Sequence, residues 1–261
     1  MIDEILNLTK ITQQQWIQAM GSSERIEKIS TLKGVYWLKK AAPARGVFRY
    51  FALNLFSFIL RTPLLKAVPQ KGGQIALDTE VSRIETLMKH EIKVPKIIAK
   101  DKGWILLEDL GDSIIEEMKA NRTNIELIRK NFEICLSGIK KLHMKGQYLS
   151  QGFARNLLKI KNSDEIGFID FEDDPLDVLT LDQAQARDLL LFVNSTARFF
   201  VKDKQFFNQQ IKEFLNGHQQ QVVECIKKTN QKLMWITKIP FQKLLGHDYQ
   251  KLKMGILALK T

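Results

Sequence analysis

Two hydrophobic periodicities divide this chain, and the place where one gives way to the other limits what it can fold into. Beyond residue 125, Ile125, Ile128, Phe132, Cys135, Leu136, Ile139 and Leu142 recur at helical spacing until Gly146 stops the pattern. Before residue 110 the apolar runs are short and rich in β-branched and aromatic residues: 25–31 (RIEKIST), 35–41 (VYWLKKA) and 103–107 (GWILL). Strands first and helices afterwards make an α+β chain. The expectation is a strand-rich first lobe over residues 1–107, a hinge at 108–113 and a helical second lobe over 114–261. With 261 residues, 44% of them hydrophobic, the chain can bury a substantial core.

Within the first lobe, RIEKIST and VYWLKKA meet through Lys33-Gly34 and read as a hairpin. The opening, to about Met20, reads as one weakly amphipathic helix. Residues 78–90 read as a second helix, on which Leu77, Val81, Ile84, Leu87 and Met88 share a face. Glu80 falls inside that stripe and Glu85 on its flank. A carboxylate on a buried face needs a partner. Lys39 and Lys40 stand side by side, and strand alternation puts Lys39 on the face of Val35 and Trp37.

Cys135 and Cys225 lack the spacing of a zinc site or a disulfide framework and read as buried thiols. The acidic start Met1-Ile2-Asp3-Glu4 does not resemble a secretory leader. The longest uncharged apolar run, residues 50–60, has eleven residues, against the roughly 20 that a membrane-spanning helix needs. A cytoplasmic protein is expected. Its net charge of +11 is unevenly spread. Residues 31–77 contain eight lysines and arginines and no acid, and residues 201–261 contain eleven lysines against four acids. Such regions suit phosphates, an anionic membrane or nucleic acid, or form a solvated basic face with no partner.

Phosphoryl transfer needs a cation on the phosphates, a metal held by a carboxylate and an amide, and a group that orients the acceptor hydroxyl. Lys39 could reach phosphates and Glu80 could hold that lysine. Asn156 and Asp170, fourteen residues apart, could hold Mg2+, which accepts a few protein oxygens beside the phosphates. Singly, each has an ordinary reading: a solvated lysine, a tilted glutamate, a loop asparagine, a turn-capping aspartate. Their order and spacing together favour the chemical one.

The run VYWLKK, Glu80, Val94-Pro95, ILLEDLGDS, KKLHMKGQYLSQGFARNLL, IGFIDFEDDP and Arg187-Asp188-Leu189-Leu190 resembles the protein-kinase-like fold in its small atypical bacterial forms. The nearest similarity is to lipopolysaccharide (Kdo and heptose) kinases, with RIO and KEOPS-associated kinases further away. It covers roughly residues 33–200 and is strongest in ARNLL paired with FIDFE. The resemblance implies a two-lobed ATP- and magnesium-dependent phosphotransferase. It makes Lys39 the strand lysine, Glu80 its helix partner, Glu108 to Leu110 the adenine-contacting hinge, and Asn156 and Asp170 the metal ligands. Asp188 would brace the catalytic-like loop, 149–158, and His143 would be structural.

The departures concern catalysis. The position of the family's catalytic aspartate, five residues before the metal-binding asparagine, is Gln151. Glutamine can orient a hydroxyl but cannot take its proton. Asp173 or Asp174, after the DFE segment within 166–175, could supply a carboxylate. Where a glycine-rich loop would precede the first strand there is only Gly21-Ser22-Ser23. Loss of the base need not abolish transfer, because the transition state is loose and positioning with electrostatics carries most of the work. If neither route holds, the chain is instead a pseudokinase scaffold, with or without nucleotide.

The acceptor is suggested by the basic insertion at 45–66. Its apolar stretch 47–60, flanked by Arg45, Arg49 and Arg61, suits either a peripheral helix on an anionic inner-membrane surface or a packed helix. A membrane-associated glycolipid is then a natural acceptor, with a protein hydroxyl the other choice. The lysines after residue 226, interleaved with Trp235, Phe241 and Tyr249, could also meet RNA or a docking protein, but that region has no arginine for base recognition. Oligomeric state is left open.

Overall fold

A computed structural model describes residues 2–44, 62–69, 71–161, 163–238 and 246–260. The expectations for the apolar stretch 47–60, and for Phe241 and Lys243, lie outside the described residues. The opening forms two helices, α1 (Ile2–Thr9) and α2 (Gln13–Gly21), rather than one. Lys10 takes a left-handed conformation (φ 59°), and Thr12 then starts α2 with a reciprocal capping box to Gln15. Two satisfied helix ends replace the continuous turn that periodicity alone suggests.

The hairpin joins β1 (Ile26–Ser30) to β2 (Val35–Lys40), with Ile26 opposite Lys39 and Ser30 opposite Val35. Beyond it, β3 (Ile97–Asp101) and β4 (Trp104–Glu108) complete an antiparallel sheet in the order β1-β2-β4-β3. Each face is covered differently. On one, α1, α2 and the link between them contribute Ile5, Ile11, Trp16 and Ala19 against Leu38, Trp104 and Leu106, with Trp16 edge-on to Trp104 at 5.0 Å. On the other, α3 (Gly73–Lys89) lays Leu77, Val81, Ile84 and Leu87 into a core shared with Ile105 and Leu107. Met88, expected on that face, is 48% exposed. The chain folds back beneath Leu87, and Ile92 and Val94 take the inward space.

A second antiparallel sheet follows, in the order β5 (Gly111–Ser113), β6 (Leu157–Ile160), β7 (Ile166–Phe168). Around it lie α4 (Ile114–Ala120), α5 (Ile125–Met144), α6 (Leu181–Thr196), α7 (Lys204–Asn216), α8 (Gln220–Leu233) and α9 (Gly246–Ala258). The chain is therefore α+β, with small antiparallel sheets and a helical majority. Phe132 of α5 sits at the centre of the helical part, 4.8 to 5.4 Å from the rings of Phe192, Phe200 and Phe207. All four rings are fully buried, each stabilising the fold by about 1.5–3 kcal/mol through area removed from water. Cys135 belongs to this core, whereas Cys225, expected buried, is only partly so.

The two sheets meet at Asp109. Its Oδ1 accepts from Trp37 Nε1 on β2 at 2.8 Å, and its Oδ2 pairs with Lys161 just past β6 at 3.0 Å. One carboxylate thus pins the crossing between the sheets. Among the described residues, no helix is long and apolar enough to cross a membrane.

Candidate functional site

The two adjacent lysines of β2 go opposite ways, as strand alternation requires. Lys40 turns toward the end of α2, where its ammonium donates to the carbonyls of Ala19 at 2.8 Å and Ser22 at 2.5 Å. It acts as a cation at a helix C-terminus. Lys39 turns toward α3 and is buried. Its Nζ lies 2.7 and 2.6 Å from the two carboxylate oxygens of Glu80, itself 1% exposed.

A second carboxylate completes the pair. Glu172, two residues beyond Asp170, places Oε1 2.8 Å from Lys39 Nζ, and the same oxygen is paired with the guanidinium of Arg25. Burial opposes the charge on Lys39, but Glu80 and Glu172 outweigh it and hold its pKa above the ordinary lysine value. Burial likewise pushes Glu80 up, more than Lys39 pulls it down. At Glu172 the balance reverses: burial raises it, yet Lys39 and Arg25 together keep its pKa below the usual carboxylate value. Glu172 is the more strongly ionised of the two acids.

The loop 149–158 is held from beneath by α6. Leu149 N–H donates to Asp188 Oδ2 at 2.8 Å, and a Cβ on Gly152 would stand 2.5 Å from Asp188 Cα. Only glycine allows the loop so close to the helix. His143 also reaches Asp188 Oδ2, at 3.1 Å. The tautomers follow from one donor that cannot be reversed. Gln219 N–H donates to His218 Nδ1 at 2.8 Å, so His218 carries its proton on Nε2 and donates to His143 Nδ1 at 2.9 Å. His143 then donates through Nε2 to Asp188. Burial lowers the His143 pKa to about 3, and mainly burial lowers that of His218 to about 4, consistent with neutral rings. Burial raises the Asp188 pKa.

On this support, Asn156 Nδ2 donates to Gln151 O at 3.0 Å and faces Asp170 Oδ2 at 3.4 Å. Asp170 has φ 72°, a left-handed conformation that only glycine, asparagine and aspartate adopt with ease. Its charge acts on Lys39, Glu80 and Arg25, so the Asn156–Asp170 pair and the Lys39 cluster adjoin. No group of three His, Cys, Asp or Glu side chains converges as a metal site among the described residues. One amide and one carboxylate suit Mg2+, which completes its shell with phosphate oxygens and water. Asn156 Oδ1 and the Asp170 carboxylate are the atoms that would hold it.

Gln151 does not stand alone. Its Nε2 donates to Asp173 Oδ2 at 2.8 Å, and Arg155 donates to its Oε1 at 3.3 Å. Asp174 has other duties: it accepts from Tyr148 Oη at 2.7 Å and caps a 3-10 turn through Leu176 N. Of the two acids after the DFE segment, Asp173 is therefore the one joined to Gln151. Glu108 ends β4 as an exposed residue whose N–H donates to Lys96 O at 2.9 Å. Leu110, half-buried, packs on Gly167, where a Cβ would collide with it. A cavity of about 210 Å³ between α5 and β7, lined by Ile92, Ile134 and Phe168 among others, contains none of these side chains.

Arg25, Arg83, Tyr148 and Glu172 escape sequence reasoning. Arg83 lies one turn past Glu80 on α3, stacks 3.9 Å from the Tyr148 ring and donates to Tyr148 O at 3.0 Å. Its i+3 spacing from Glu80 was the available signal. Neither Glu172, in a non-strand segment after the left-handed Asp170, nor Arg25 carries a local signal. No model of a known protein family matches this chain, and no curated protein matches it in sequence.

Proposed function

We propose that this chain is a kinase-like nucleotide-binding protein that transfers phosphate from ATP with Mg2+. The observation that carries the reading is the buried Lys39–Glu80 pair beside the Asn156–Asp170 pair, four residues from four separate segments of the chain. Lys39 would bind phosphate oxygens, Glu80 would fix the lysine, and Asn156 with Asp170 would hold the metal. Magnesium, when bound, supplies charge neutralisation on the transferring phosphate. Glu108 to Leu110, between the two sheets, would contact the adenine.

For transfer, Gln151 would orient the acceptor hydroxyl, and Asp173, 2.8 Å from it, is the carboxylate that could accept the proton. The acceptor class we propose is a hydroxyl on a glycolipid at the inner membrane surface, or on a protein. Flotation with anionic vesicles checks the lipid part: the chain should rise with phosphatidylglycerol vesicles and stay behind with neutral ones.

The second reading is a pseudokinase that binds nucleotide without transferring phosphate. What favours it is Gln151 itself, which cannot act as a base. Single-turnover assays with γ-labelled ATP separate the two. Loss of label from ATP that disappears in Asp173→Asn supports transfer; nucleotide binding with no turnover supports the pseudokinase. Salt-sensitive RNA binding with no nucleotide binding would favour neither.

A further inference from the structure

We infer that Arg25 is a second phosphate-binding cation, held ready by Glu172, and that it takes the place of a glycine-rich loop. The inference rests on the nucleotide reading above. Arg25 occupies the stretch between α2 and β1, where Gly21-Ser22-Ser23 is too short to wrap phosphates with backbone amides. What this stretch offers instead is a guanidinium aimed into the Lys39 cluster.

Two observations point to a ligand. First, Arg25 and Lys39 converge on a single oxygen, Glu172 Oε1. Two cations on one anionic oxygen is how a phosphate oxygen is held, and here the chain's own carboxylate fills that place. Second, Arg25 Nε is buried and has no hydrogen-bond partner among the described residues. A guanidinium offers five donors in a fixed fork, and a phosphate could use both the paired edge and the idle Nε–H.

Exposure divides the labour. The Lys39 side chain is 8% exposed, while that of Arg25 is 28% exposed, so Arg25 is the cation that an incoming phosphate meets first. The cluster of Lys39 and Arg25 with Glu80, Glu172 and Asp170 carries a formal charge of −1, which repels a free phosphate. Turning the Glu172 carboxylate out would leave both cations facing the ligand. Glu172 is thus a placeholder, and nucleotide entry exchanges one anionic oxygen for another.

The test is a calorimetric titration of the whole chain with MgATP, alongside Arg25→Gln, Arg25→Lys and Glu172→Gln, with thermal unfolding of each as the check on folding. Arg25→Gln should weaken binding about tenfold, since a charge-assisted contact is lost. Arg25→Lys should fall between, keeping the charge but not the fork. Glu172→Gln should tighten binding several-fold by removing the competing anion. Arg25→Gln binding within about twofold of the parent, or Glu172→Gln binding more weakly than the parent, overturns the inference and leaves the nucleotide reading intact. Failure of the parent to bind MgATP overturns both. If Arg25→Gln does not fold, Arg25→Lys and Glu172→Gln decide alone.

Discussion

At the scale of single residues, Lys39 is tightly constrained, because it is paired with two buried carboxylates. Replacing it with methionine keeps much of the volume but leaves Glu80 and Glu172 facing each other without their shared cation. Breaking a buried ion pair from one side costs about 3 kcal/mol or more, so Lys39→Met should lower the urea midpoint markedly. A midpoint equal to the parent's would show that the pair is solvated. His143 gives a pH prediction. With its native pKa near 3, against an ordinary 6.5, the unfolded chain binds its proton where the folded chain does not. The His143 contribution is complete above about pH 6.5 and is lost as pH falls. The raised pKa of Asp188, caused mainly by burial, acts in the opposite sense. Hence unfolding free energies of His143→Gln, measured from pH 6.5 to 4, should fall less steeply than those of the parent.

At the scale of elements, the site depends on how α3 and the loop 149–158 are seated. Arg83 ties α3 to Tyr148, the residue that leads into the loop, so Arg83→Ala should cost about 2 kcal/mol of stability. It should also weaken MgATP binding, because Glu80 sits one turn away on the same helix. Unchanged binding at reduced stability would confine Arg83 to packing. Gly152→Ala tests the floor of the loop: the new methyl would press on Asp188 Cα, and about 1–3 kcal/mol is expected from overpacking, read by thermal unfolding. The strands and α3 are legible in the sequence because alternation and helical period are local rules. Lys39 and Glu80 are legible for the same reason. The break between α1 and α2 is not, since it turns on Lys10 entering left-handed space and on the cap at Thr12. Met88 fails because a helical wheel does not see Ile92 and Val94 returning beneath it.

At the scale of the whole molecule, three regions far apart in sequence supply one charge cluster: the β1–β2 hairpin with Arg25 and Lys39, α3 with Glu80, and the segment after β7 with Glu172. The Arg25–Glu172 contact is invisible to any pattern read along the chain, because nothing within either segment specifies the other. It arises when the antiparallel sheet and the helical part come together across the crossing pinned by Asp109. The unequal charge of the chain also acts at this scale, and the residues from 201 onward offer lysines without arginine to any anionic surface. The measurement that bears most directly on the nucleotide reading is a titration with ATP, with and without magnesium, of the parent beside Asp170→Asn. Asparagine tolerates the left-handed backbone at that position, so the variant removes the charge and little else. The expected result is saturable, magnesium-dependent binding that weakens by about tenfold or more in Asp170→Asn. Absence of binding by the parent, or equal binding by both proteins whether or not magnesium is present, would contradict it.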